Sequence, residues 1–213
     1  IVATPEEMRA MREGLAEQAQ QQAMVEGAPQ VAKAAKDFAG ALRLVEEAVA
    51  KNPALEANYG IEKYFLLLEG GRAAEAAVYG QRLVSDVLNK NSEALNKLAW
   101  TIVDPAGKWK DVGDFALAVR AAEVAVALGE EKDASILDTL GLALFRAAER
   151  WALSKGCREL KVETQNINVP ACRFYEGMGC RLRTVNRGAY PDLPHEIQLL
   201  WYKDLAPREA ALS

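Results

Sequence analysis

Histidine is nearly absent: His195 stands alone among 213 residues. A multi-histidine metal site is therefore excluded, and so is a histidine-rich catalytic cluster. Cysteine is scarce as well. Cys157, Cys172 and Cys180 make an odd number and form no C-x-x-C, which argues against a thioredoxin-type redox centre and a zinc ribbon. Free thiols suit a reducing cytoplasm, the expected location. No apolar run approaches the ~18 residues of a membrane-spanning helix. The opening IVATPEEMRAMREG has no basic stretch leading into an apolar run, so no signal peptide is expected. Position 1 is Ile rather than Met, as in a fragment or a processed form.

What is there is ordinary globular usage. Half of the residues are hydrophobic and 26% are charged, enough for one medium domain or two small ones. The net charge of −4 argues against a general nucleic-acid binder. It is unevenly spread. Residues 1–150 carry 17 Lys+Arg against 23 Asp+Glu, and residues 151–213 carry 9 against 7.

From Thr4 to about Lys155 apolar residues recur at intervals of three and four, which predicts successive helices. They are expected at 6–25 (Thr4 as N-cap, Pro5 at the first helical position), 38–51, 55–69, 73–88, 92–103, 115–128 and from 134 onward. Asn52-Pro53 and Gly70-Gly71 read as stops. Gly70-Gly71 is not a phosphate loop, because no G-K-S/T follows it. Ser92 reads as a cap. The helices pair at a period of roughly forty residues, the sign of a helical-hairpin repeat. Ala41, Val45, Ala48 and Pro53, and again Ala118, Ala122 and Ala125, follow the small-and-large spacing of the tetratricopeptide type. The stretches SEALNKLAWTIVDP and DFALAVRAAEVAVALGEEKDASILDTLGLALFR resemble the repeat tail of bacterial thioredoxin-like (redoxin) proteins, extending the likeness over 1–148. That resemblance implies a protein-interaction scaffold, with a protein or peptide partner on the repeat surface.

After Gly156 the pattern changes. Residues 159–165 (ELKVETQ) alternate as a strand, 168–178 read as a short helix capped by Asn168 and stopped by Gly179, and 181–187 and 196–202 read as two further strands. The fold class expected is mainly α, with tetratricopeptide-like repeats over 1–150 and a small α/β unit of three strands and one helix over 151–213. The strand at 159–165 has no parallel neighbour. Its exposed edge is expected to be covered by a repeat helix or by a second copy, as a homodimer.

The words ERWALSKGCRELKVETQNINVPACRFYEGMGC and AYPDLPHEIQLLWYKDL, within 149–205, resemble the C-terminal half of a GCN5-related N-acetyltransferase of the streptothricin-acetyltransferase-like branch. The helix carries N-x-x-A-x-x-x-Y-x-x-x-G as Asn168, Ala171, Tyr175 and Gly179. The resemblance implies acetyl-CoA as cofactor and no metal. It implies that Asn168 contacts the cofactor, that Ala171 leaves space for it, and that Tyr175 protonates the departing thiolate, chemistry a positioned phenol can supply. The bland reading of Tyr175 is a core aromatic near Trp201. The family also carries a Q/R-x-x-G-x-G/A phosphate cradle at a helix entrance. Aligned to it, Gly141 takes the last glycine, while Ile136 and Thr139 stand at the Q/R and middle-glycine positions. The cradle is mostly missing, and the strands that precede it in the family are replaced by helices. The expected function is thus a helical-repeat scaffold carrying a truncated, inactive acetyltransferase half, joined near 141–149. The alternative is an acetyl-CoA-dependent N-acetyltransferase acting on a small, streptothricin-like amine. His195, between two turns, reads as a surface residue, and the cysteines as small hydrophobes.

Overall fold

The computed structural model describes residues 38–129 and 132–205. The helix expected at 6–25 lies outside them. The chain forms two compact units, Ile1–Leu98 and Ala99–Ser213, taken here one at a time.

In the first unit, α1 (Phe38–Lys51) buries Leu42. Asn52 then accepts from the Ala54 amide at 3.2 Å and Pro53 opens a single 3₁₀ turn, so the expected stop is built as a cap. α2 (Glu56–Glu69) turns Gly60, Ile61, Tyr64 and Leu67 inward, the three-and-four spacing of one helix face. It packs on both α1 and α3 (Ala73–Arg82). Gly71, at φ 76°, ends α2 in the left-handed region, where glycine carries no Cβ penalty. A single π turn, Leu83–Val87, extends α3 and is closed by the Leu88 amide on the Leu83 carbonyl at 2.8 Å. A Cβ on Gly60 would stand 2.5 Å from Leu83 Cδ2, so this glycine is what lets α2 approach the π turn.

The chain passes into the second unit within α4 (Ser92–Val103). Asn91, not Ser92, caps this helix, accepting from the Ala94 amide at 2.9 Å. Both are good capping types, and the register of the first turn selects the earlier one. The turn-rich loop 104–114 ends on Asp114, which caps α5 (Phe115–Leu128) through the Leu117 amide at 3.0 Å. α5 buries Leu117, Ala118, Ala121, Ala122 and Ala125, and this small-residue stripe packs closely on α6 (Ala134–Ser154). The sequence paired 115–128 with 92–103 instead. Helical hairpins are present, but the tetratricopeptide class is not established by them. The π turn in α3 is a local irregularity among these hairpins.

Three strands follow: β1 (Glu159–Gln165), β2 (Arg181–Arg187) and β3 (Ile197–Asp204), with α7 (Val169–Gly177) between the first two. The sheet order is β1-β3-β2, antiparallel throughout. Three strands and one helix were expected here, and the last strand lies slightly later than the expected 196–202. The division expected at 150 falls within α6, inside the second unit. His195 is exposed in the turn before β3.

Candidate functional site

α6 runs unbroken for 21 residues. Inside an α-helix each amide donates to the carbonyl four residues back, so the amides around Gly141 are already used. A Cβ at Gly141 would meet nothing within 4 Å, so no close approach demands glycine there. Thr139 is buried and donates its hydroxyl to the Ser135 carbonyl at 2.9 Å. The free helix entrance lies earlier, at Asp133. Its carboxylate accepts from the Ser135 and Ile136 amides at 2.9 and 3.4 Å and from the Ser135 hydroxyl at 2.7 Å. The Ser135 hydroxyl, more than any other neighbour, holds this carboxyl below its ordinary range. An anion already occupies the positive end of the helix.

The motif helix α7 has a local explanation for its two end positions, Asn168 and Gly179. Asn168 is the N-cap, and its side chain accepts from the Ala171 amide at 3.2 Å. Pro170 sits in the first turn, where its missing N–H is no loss. At the other end the Gly179 amide donates to the Glu176 carbonyl and the Cys180 amide to the Tyr175 carbonyl, both at 2.9 Å. This is the Schellman pair of bonds, with Gly179 at φ 80° in the left-handed position. Asn168 and Gly179 thus mark the two caps of one helix, while the caps engage only the backbone of Ala171 and Tyr175. Gly179→Ala is expected to destabilise the unit by about 1–2 kcal/mol, since a Cβ is disfavoured in that conformation. Urea denaturation followed by circular dichroism measures it, and a midpoint equal to that of the unsubstituted protein would contradict the cap.

α6 and α7 lie on the same face of the sheet as Leu160, Val162, Leu199 and Trp201. Phe145, Cys180 and Trp201 form the buried centre, with Phe174, Tyr175 and Met178 packed against it. Trp201 Nε1 donates to the buried Thr164 hydroxyl at 3.0 Å. Burial pushes the Cys180 thiol up, which keeps it protonated and unreactive, in line with its reading as a small hydrophobe. A cleft of about 530 Å³ opens beside this core. Leu144 and Phe145 of α6, Leu160 and Val162 of β1, and Ala171 and Tyr175 of α7 line it, with Asp138 and Gly141 also at its wall. The Tyr175 ring stands 6.0 Å from Phe145 and 5.3 Å from Phe174, centroid to centroid.

The residues singled out from the sequence are therefore distributed as follows. Gly141, Ala171 and Tyr175 meet in the cleft, while the Asn168 side chain is engaged as a cap. Sequence reasoning missed Phe145, Leu160 and Val162. The alternation of β1 carried the signal for the last two, because one face of that strand had to turn inward.

Beneath the cleft, α6 is tied to β3 by charge. The buried Glu149 accepts from Arg146 at 3.1 Å and ion-pairs with Lys203, whose ammonium also lies 5.2 Å from the Phe145 ring centroid. Among the described residues no group of three or more His, Cys, Asp or Glu side chains could hold a metal ion. No helix among them is long and apolar enough to cross a membrane.

Residues 139–180 match the acetyltransferase (GNAT) family. Streptothricin acetyltransferase of Escherichia coli is 35% identical over 63 residues, 28% of this chain and 36% of that protein. Streptothricin acetyltransferase A of Bacillus subtilis (strain 168) is 35% identical over 65 residues, 30% of this chain and 38% of that protein. The chain thus spans little more than a third of the length of these relatives. No solved structure matches. GNAT proteins generally bind acetyl-CoA, and its two ends fare differently here. The apolar cleft beside Ala171 and Tyr175 suits an uncharged arm. The pyrophosphate needs free amides at a helix entrance, and at Gly141 those amides are bonded within α6. The residues present do not fit the nucleotide end of the cofactor.

Proposed function

We propose that residues 139–205 form one half of an acetyl-CoA-dependent N-acetyltransferase for a small amine of the streptothricin class. The observation that carries the reading is positional. The cleft between α6, β1 and α7 is built from the stretch that matches the family, and Ala171 and Tyr175 face into it. In this reading Ala171 leaves room for the cofactor's arm and Tyr175 keeps the proton-donor role that the resemblance implies. Gly141 holds no phosphate, and Asn168 serves the helix. The same reading places the junction between the helical part and the acetyltransferase part inside α6, near 141–149.

Calorimetric titration of the full chain with acetyl-CoA tests it. Binding at about tens of micromolar or tighter is the expected result for a working cofactor site. No heat of binding at millimolar acetyl-CoA would overturn the enzymatic reading and leave the helical part to account for function. A truncated thioester, S-acetyl-N-acetylcysteamine, locates the contact. Because the nucleotide end lacks a cradle, the truncated compound is expected to bind within about tenfold of the whole cofactor.

A further inference from the structure

Among the described residues the sheet has two unpaired edges, β1 and β2. A free edge presents unpaired N–H and C=O groups, and folded proteins guard it with charge, bulges or proline. β2 is guarded. Arg181, Arg183 and Arg187 lie along it, and its register shifts between Leu182 and Thr184. Two copies of β2 laid side by side would bring arginines together across an irregular strand. β1 carries charge too, but of both signs, at Glu159, Lys161 and Glu163, and it has no bulge. It contains no proline or glycine, and it pairs with β3 in unbroken register from Glu159↔Asp204 to Gln165↔Gln198.

We infer that β1 is the seam of a two-fold homodimer, in which two copies of the strand pair antiparallel about Val162 and join the two sheets into one. Facing residues in an antiparallel pair share a face of the sheet. Centred on Val162, the pairing overlaps all seven residues of the strand. Lys161 then lies opposite Glu163 of the second copy, and Glu163 opposite Lys161 of the second copy, so the solvated face carries two opposite-charge pairs. On the inner face Val162 meets its own counterpart and Leu160 meets Thr164. The outermost pair is Glu159 with Gln165, which is free of repulsion.

Neighbouring registers are worse. An axis on Lys161 sets lysine against lysine and Glu159 against Glu163. An axis on Glu163 sets glutamate against glutamate. An axis midway between two residues sets the apolar face of one strand against the polar face of the other. Glu163 is also held as a carboxylate, because the Tyr190 hydroxyl donates to it at 2.6 Å and draws its pKa down. The partner is thus selected by chemistry: a strand that offers lysine where this one offers glutamate, and the reverse, is this strand itself.

Sedimentation equilibrium over roughly 1–300 μM, the range in which small interfaces associate, tests the seam. The unsubstituted chain is expected to dimerise. Lys161→Glu places glutamates opposite each other at both charge pairs and is expected to weaken association about tenfold or more. The exchange Lys161→Glu with Glu163→Lys restores opposite charges and is expected to bring the dimer back to within about threefold. Circular dichroism confirms that each variant is folded. A monomer across the whole range overturns the inference. So does a Lys161→Glu chain that dimerises like the original, or a folded charge-exchanged chain that stays monomeric.

Discussion

Replacing Trp201 with alanine is expected to destabilise the C-terminal unit by about 3–5 kcal/mol, the usual cost of emptying a large aromatic site in a core. The whole stability of a domain is typically only about 5–15 kcal/mol, and a three-stranded sheet lies near the lower limit for independent folding. Trp201 stands at the centre of what holds this sheet to its helices. It is 8% exposed, sits opposite Val162 on one side and Leu182 on the other, and shares its cluster with Phe145 of α6 and Tyr175 of α7. Trp201→Phe separates packing from hydrogen bonding. It keeps most of the ring volume and removes the indole donor to the buried Thr164 hydroxyl, which keeps only the Cys172 thiol at 3.6 Å, at about 1 kcal/mol. Guanidinium denaturation followed by far-ultraviolet circular dichroism gives both values. Equal losses for the two variants would mean that the bond to Thr164, not the packing, dominates. A loss under about 1 kcal/mol for alanine would refute the core as described.

Glu149→Ala is the second large effect. Removing one member of a buried ion pair leaves an uncompensated charge and costs about 3–5 kcal/mol when burial is complete. Here Arg146 and Lys203 keep 18% and 19% of their side chains exposed, so water partly compensates them. The expected loss is therefore about 2–3 kcal/mol. The Arg146 Nε atom is already buried without a hydrogen-bond partner, which sharpens the dependence of this cluster on Glu149. Lys203→Met tests the coupling. If Glu149 and Lys203 compensate each other, the double variant is less destabilised than the sum of the single losses by more than about 0.5 kcal/mol. Additive losses would show that the two groups are adjacent without being coupled.

Much of the local structure was legible in the chain before any packing was considered. Asn52-Pro53, Gly70-Gly71, Asn168 and Gly179 each announced an element boundary. Each acts there through a cap or a left-handed turn completed within a few residues. Capping is a short-range equilibrium between a side chain and a nearby amide, so sequence carries it. The cap expected at Ser92 lies at Asn91, a difference of a single position between two competent residue types. The acetyltransferase likeness was legible for the same reason. Its motif spells out the two ends of one helix, and those ends are local.

The candidate site was only half legible. Ala171 and Tyr175 could be placed because they lie on that helix, facing one way. Phe145 could not, because nothing in its neighbourhood says that α6 would meet α7 over one face of a sheet, and the alternation of β1 shows that Leu160 turns inward but not what it meets. The apolar run of β3 shows the same limit. Leu199, Leu200, Trp201 and Tyr202 are all suited to burial, and the register with β1 decides among them. Val162↔Trp201 turns Trp201 inward, while Tyr202 takes the other face beneath the Arg183 guanidinium, 4.9 Å from its ring centroid.

By itself, the sequence determined to within a few residues where most of the described helices and strands begin and end, and that no histidine cluster could do chemistry. Those properties depend on residues within one or two turns of each other. The tertiary structure alone decided that Phe145 of α6 meets Tyr175 of α7 and that Glu149 meets Lys203. Those outcomes depend on surfaces far apart in the chain finding one another. Their energy comes from burial and charge pairing between elements, which no local pattern encodes.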